Sequence, residues 1–292
     1  MRGSCFAVLG VILAMALSGC GPSQEKHDAA PAPRTASAAV LTLSVGGSQQ
    51  RFSAADLLAR ADVAGIDAPQ DVAYHRAMSY RAVPLRALLA SLGPSSDDTL
   101  EFRATDGFVA SLPRRLIDGA AIPWVAIEDP AHPWPALPNK MSSAGPFYLI
   151  WQNPERSAVS PEQWPYSVAA ITAVQSPAQR WPGLAADAAH GASAAAQRGE
   201  AVFFANCLTC HRLAGAGEGA VGPDLMRPMP ATSYFTEAGL RALIRNPASV
   251  RTWPEQHMPA FAPDAISDAD IGAVIAYLRY QAAHTTPQQR RH

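Results

Sequence analysis

Apolar and polar residues alternate over Val40-Leu41-Thr42-Leu43-Ser44-Val45, the two-residue period of a strand with one buried face. Gly46-Gly47-Ser48 supplies a turn, and Gln49 to Phe52 return as a second strand. Ser53-Ala54-Ala55-Asp56 opens a helix as a capping-box variant, with Leu57 and Leu58 on its core side. Pro84 to Ser91 is expected to be helical, because Leu85, Leu88 and Leu89 share one face. Further strands are expected at Thr99 to Ala104, Phe108 to Leu112, Trp124 to Ile127, Phe147 to Trp151 and Tyr166 to Val174. No repeated strand-helix-strand alternation runs through this stretch, so residues 40–177 read as an α+β domain with a mainly antiparallel sheet.

From about Ala194 the period becomes helical. A first helix passes through Arg198-Gly199-Glu200 and Phe203-Phe204, and a stripe at Leu240, Leu243 and Ile244 makes a middle helix that ends near Pro247. Ser267-Asp268-Ala269-Asp270 caps a last helix whose Ile271, Val274, Ile275 and Leu278 fall on one face. Gly199, lacking a side chain, lets the first helix approach the last closely. Residues 194–283 therefore read as a second, all-α domain. The Pro-, Ala- and Gly-rich stretch 178–193 has the composition of a linker, and 284–292 that of a flexible tail.

The N-terminus carries Arg2, an apolar run from Phe6 to Leu17, and then Leu17-Ser18-Gly19-Cys20, in the order charged region, apolar region and small-residue cleavage site. The apolar run is shorter than the ~20 residues that cross a bilayer. Leu-Ser-Gly-Cys resembles the lipobox of bacterial lipoproteins. The resemblance implies that residues 1–19 are a signal peptide and that Cys20 is the lipidated first residue of the mature protein. Residues 20–39 would then form a flexible tether to the periplasm-facing membrane of a bacterial envelope.

With 23 basic against 24 acidic residues and no local Lys/Arg cluster, no nucleic-acid partner is implied. The four cysteines are Cys5, Cys20, Cys207 and Cys210. In Cys207-Leu208-Thr209-Cys210-His211 two thiols lie two residues apart and an imidazole follows at once, the spacing at which both sulfurs add to one haem while the histidine reaches its iron. A zinc knuckle would need a second cysteine pair, which the chain lacks. A redox dithiol does not require the adjoining His211. The sixth iron ligand must come from far along the chain, and Met258, followed by Pro259, is the candidate, with Met226, Met229 and His257 as rivals.

The order Arg198-Gly199-Glu200, Cys207 to His211, Gly222-Pro223-Asp224-Leu225, Met258-Pro259-Ala260-Phe261 and Tyr277-Leu278 resembles class I cytochrome c through to about Gln281. The resemblance implies one covalent haem c, with His211 and Met258 as axial ligands and the Pro223 carbonyl accepting from His211 Nδ1. Gly222-Pro223 is also readable as a simple loop turn. Trp253 is a candidate partner for a haem propionate, against plain packing.

Tyr80-Arg81-Ala82-Val83-Pro84-Leu85, Asp106-Gly107-Phe108 and Gly145-Pro146-Phe147 come in an order that resembles the sulfite-oxidase-type molybdopterin-binding oxidoreductase domain, over about 40–177. Catalytic members of that family ligate molybdenum with a cysteine, and none lies between Gly21 and Asn206. The region is therefore expected to be a non-catalytic relative without molybdopterin, His75 and His132 to be ordinary polar residues, and Trp124, Trp134, Trp151 and Trp164 to serve packing. The whole then reads as an electron carrier for membrane-bound redox proteins. The alternatives are a haem-containing molybdopterin oxidoreductase and a haem-based ligand sensor.

Overall fold

The computed structural model of the chain describes residues 39–138, 140–252, 256 and 258–285. Nine strands lie in the first part: β1 Val40–Val45, β2 Ser48–Ser53, β3 Ala64–Asp71, β4 Arg76–Pro84, β5 Thr99–Ala104, β6 Val109–Pro113, β7 Ile122–Ile127, β8 Phe147–Gln152 and β9 Val168–Val174. They form a five-stranded sheet in the order β2-β1-β9-β5-β6 and a four-stranded sheet in the order β3-β4-β7-β8. All pairings are antiparallel except β1 with β9. Leu41, Leu43 and Val45 point inward from β1 while Val40, Thr42 and Ser44 do not, as the alternation requires. Gly46 and Gly47 join β1 to β2 with φ of +56° and +83°, which a two-residue hairpin loop of the primed type demands. Buried side chains from both sheets, among them Leu43, Phe102 and Ile171 from one and Val83, Ala126 and Leu149 from the other, belong to one apolar core.

Three short helices punctuate the strands: α1 Ala54–Leu58, α2 Leu85–Ala90 and α3 Arg114–Ile117. The expected capping box at α1 is present, Asp56 N–H donating to Ser53 Oγ and Ser53 N–H to the Asp56 carboxylate. Strands β3 and β4 are additions to the sequence reading. β3 carries Gly65 and Pro69, has only Ile66, Ala68 and Asp71 buried, and breaks register between Ala68 and Asp71. It lies at the edge of its sheet, the place where proline and a bulge are tolerated and where the apolar signal is weakest.

The C-terminal part is helical: α5 Ala194–Asn206, α6 Ala231–Tyr234, α7 Glu237–Arg245, α8 Pro247–Val250 and α9 Asp268–His284. Before it comes α4, Pro177–Arg180. Helices α5 and α9 pack where Gly199 faces the Ala273 carbonyl and Tyr277, and Arg198 binds Asp270 at 2.7 Å across the pair. The segment 178–193, of linker composition, is tied to these helices instead of hanging free. Leu184 is buried, and its carbonyl accepts from Tyr277 Oη and Gln281 Nε2, both at 2.7 Å. Proline and alanine give such a segment little periodicity, but one buried leucine and one doubly used carbonyl suffice to dock it.

Candidate haem attachment site

The site begins where α5 ends. Cys207 and Leu208 N–H groups both reach the Phe203 carbonyl, at 2.8 and 2.9 Å, and His211 N–H donates to Cys207 O at 2.8 Å. The chain thus keeps coiling past the helix. Residues three and four apart on such a turn share a face, so Cys207, Cys210 and His211 are presented together. The two cysteines are not joined in a disulfide. Burial pushes them up, Cys207 to about 12 and Cys210 to about 11, with the carboxyl of Glu162 adding to the effect. Thiols held neutral in this way lack the depressed pKa of a redox-active dithiol. No group of three or more His, Cys, Asp or Glu suited to a metal ion occurs among the described residues, as a zinc knuckle would require.

His211 is oriented from behind. Its Nδ1 lies 2.8 Å from the Pro223 carbonyl oxygen, which fixes Nδ1 as the protonated nitrogen and leaves Nε2 as a lone-pair donor. Burial lowers its pKa and so favours the neutral ligand form. The glycines around it leave room that a side chain would fill. A Cβ on Gly222 would sit 2.5 Å from His211 Cε1, and one on Gly219 would sit 2.6 Å from the Cys210 carbonyl carbon. Gly222 N–H closes the turn on Cys210 O at 2.9 Å. Asp224 pins the next loop, accepting from the N–H groups of Ala214, Gly215 and Met226.

The methionines separate by environment. Met226 is fully buried in the apolar cluster that contains Phe203, Leu208, Leu213 and Tyr277, against which Cys207 packs. Met229 is 48% exposed. Met258 is partly buried against a second cluster, formed by Leu240, Phe261, Ile266, Ile271 and Ile275. Val202 and Leu225 pack against both clusters. Met226 is therefore wall on the cysteine side, and Met258 is the thioether that belongs to the other cluster. Trp253 and His257, and Cys20 at the N-terminus, lie outside the described residues.

His75 sits exposed in a turn with φ +53°, and His132 is exposed beside Asp129. Neither joins a ligand set. Trp151 Nε1 donates to Gln163 O at 2.7 Å, while Trp134 stacks edge-on against Tyr80. Sequence reasoning did not find Glu162, whose carboxyl is raised to about 7 by burial. It also missed the buried Asp71, which accepts from Tyr74 N–H and Tyr80 Oη at 2.8 Å each. Both owe their environment to partners remote in sequence, which no local pattern announces.

A thiol pair followed by an imidazole whose Nδ1 is held by a carbonyl, leaving Nε2 as the donor nitrogen, forms a donor set that fits a covalently bound haem. Residues 196–282 match the family model of cytochrome c. This part of the chain is a cytochrome c domain, which implies covalently bound haem c and haem-based electron transfer. No curated protein matches the chain.

Proposed function

We propose that the protein is an exported, membrane-anchored monohaem cytochrome that passes single electrons between respiratory or dehydrogenase partners. The observation that carries the reading is the Cys207–His211 turn, which presents both cysteines and an imidazole whose Nδ1 is held by the Pro223 carbonyl. Cys207 and Cys210 would hold the haem by thioethers, and His211 and Met258 would be its axial ligands. The haem supplies a one-electron couple. The residues tune and protect it: His211 stays neutral through burial, the Pro223 carbonyl fixes its tautomer, and the two apolar clusters exclude water. A thioether ligand and a dry pocket both disfavour the more highly charged oxidised state, which raises the potential. Two protein donors, His211 and Met258, would leave the iron no open site for a substrate, which favours a carrier over a converting enzyme.

Lipidation at Cys20 would keep the carrier at the membrane surface and raise its local concentration for membrane-bound partners. No helix among the described residues is long and apolar enough to cross a membrane. The sheet region is assigned a non-catalytic role on the absence of any cysteine from Gly21 to Asn206. Iron, molybdenum and pterin analysis of protein purified from its native membrane tests the whole reading. One iron and no molybdenum per chain is expected; stoichiometric molybdenum would install the oxidoreductase instead.

A further inference from the structure

The haem-attachment turn is covered by the sheet region of the same chain. Thr209, between the two cysteines, is only 2% exposed, and its carbonyl accepts the N–H of Val109 at 3.1 Å. Val109 opens β6, the edge strand of the five-stranded sheet, so the turn occupies a backbone donor that the edge would otherwise offer to solvent. Beside this bond Gly107 faces Ala220, with ordinary contact space for a Cβ between them. The turn Pro161–Gln163 packs against α5 and brings the Glu162 carboxyl into the field of both thiols.

A four-charge network closes the rim. Glu218, from the loop that follows His211, accepts from Arg180 at 2.8 Å and lies 3.5 Å from Arg103 of β5. Arg180 in turn binds the buried Glu101 of β5 at 2.6 Å, and Arg103 binds the same carboxylate at 2.9 Å. Two arginines and two glutamates balance, so the contact carries no net charge that a partner could exploit. The Arg180 guanidinium also lies over the Trp181 ring, which fixes its plane.

We propose that the sheet region is a built-in cap on the haem-attachment turn, filling the docking face beside Cys207 and Cys210 and confining electron exchange with external proteins to other surfaces of the helical region. The proposal rests on the electron-carrier reading above. Electron tunnelling falls steeply with distance, so a protein donor kept off this face by the cap would be held farther from a haem bound at Cys207 and Cys210, whereas a small solute donor is excluded less.

The test is the full-length haem protein carrying Glu218→Arg together with Val109→Pro. The first sets three cations against one another, and the second removes the N–H bound to Thr209 at an edge position that tolerates proline. Hydrogen exchange in residues 207–211 is expected to accelerate about tenfold or more as the cap loosens. Reduction by a soluble reduced cytochrome c should then rise at least about tenfold, while reduction by ascorbate stays within about twofold. Glu218→Gln alone should give a smaller change in the same direction, with circular dichroism showing the fold retained. Unchanged exchange would show that these contacts do not hold the cap, and faster exchange with an unchanged protein-donor rate would show that the cap does not gate transfer; either overturns the proposal. A colourless full-length protein would instead sink the electron-carrier reading itself.

Discussion

Replacing Gly199 by alanine puts a single methyl group into the closest approach between α5 and α9. A Cβ built there would stand 2.5 Å from the Ala273 carbonyl carbon and 2.8 Å from Tyr277 Cβ. Ordinary carbon contacts are about 3.5–4.0 Å, so the helices must part by roughly 1 Å. The obstructing atoms include helical backbone, which cannot swing away as the end of a long side chain could. Overpacking of this kind costs about 1–3 kcal/mol, and the upper end applies where backbone must move. Alanine's better helix propensity returns about 0.8–1.0 kcal/mol. The net expectation is a loss of about 2 kcal/mol, read as a lower denaturant midpoint with an unchanged slope. Gly183→Ala is the control, since nothing lies within 4 Å of its Cβ position. It should stay within about 0.5 kcal/mol of the parent. A Gly199→Ala midpoint equal to or above the parent's would refute the claim that this glycine sets the helix spacing.

Other perturbations reach different parts of the account. Met258→Ala should lower the reduction potential and let the reduced protein bind carbon monoxide; retention of the parent potential would remove Met258 from the iron. Burial pushes the Glu162 carboxyl up to about 7, above the 4.5 of an exposed glutamate, so the folded chain binds the proton more tightly. Its contribution is complete below about pH 4.5 and is lost as pH rises through 7, up to about 3 kcal/mol at 1.36 kcal/mol per unit. Glu162→Gln should therefore flatten the stability profile between pH 5 and 8, and parallel profiles in the two proteins would contradict that. Asp71→Ala strands the Tyr74 N–H and the Tyr80 hydroxyl in the core and should cost about 2–4 kcal/mol in chemical unfolding. A loss under about 0.5 kcal/mol would mean those donors find other partners.

The parts of this molecule that were legible in its sequence are those decided within a few residues. The Cys207–His211 turn is local geometry, since three side chains at spacings of three and four must share a face. The caps at Ser53 and Ser267 are likewise written in four residues each; Ser53 forms the full box, while at Ser267 the side chain accepts from Asp270 N–H without the reciprocal backbone bond. Gly199 was readable because a glycine inside an otherwise sound helix asks for a packing reason. The unread parts are made by residues far apart in the chain. β3 pairs through its backbone with few apolar side chains to advertise it. Leu184 docks through one carbonyl to α9, and Val109 meets Thr209 across the sheet edge. Hydrogen bonds to backbone depend on no particular side chain, so they leave no trace in composition or period.

The central claim is that Cys207 and Cys210 carry a haem, and the intact mass of the acid-denatured protein tests it most directly. After expression with a working cytochrome-maturation system, the chain should weigh the polypeptide plus one haem and resist thiol alkylation at both cysteines. A mass equal to the bare polypeptide, with Cys207 and Cys210 both alkylated, would contradict the account.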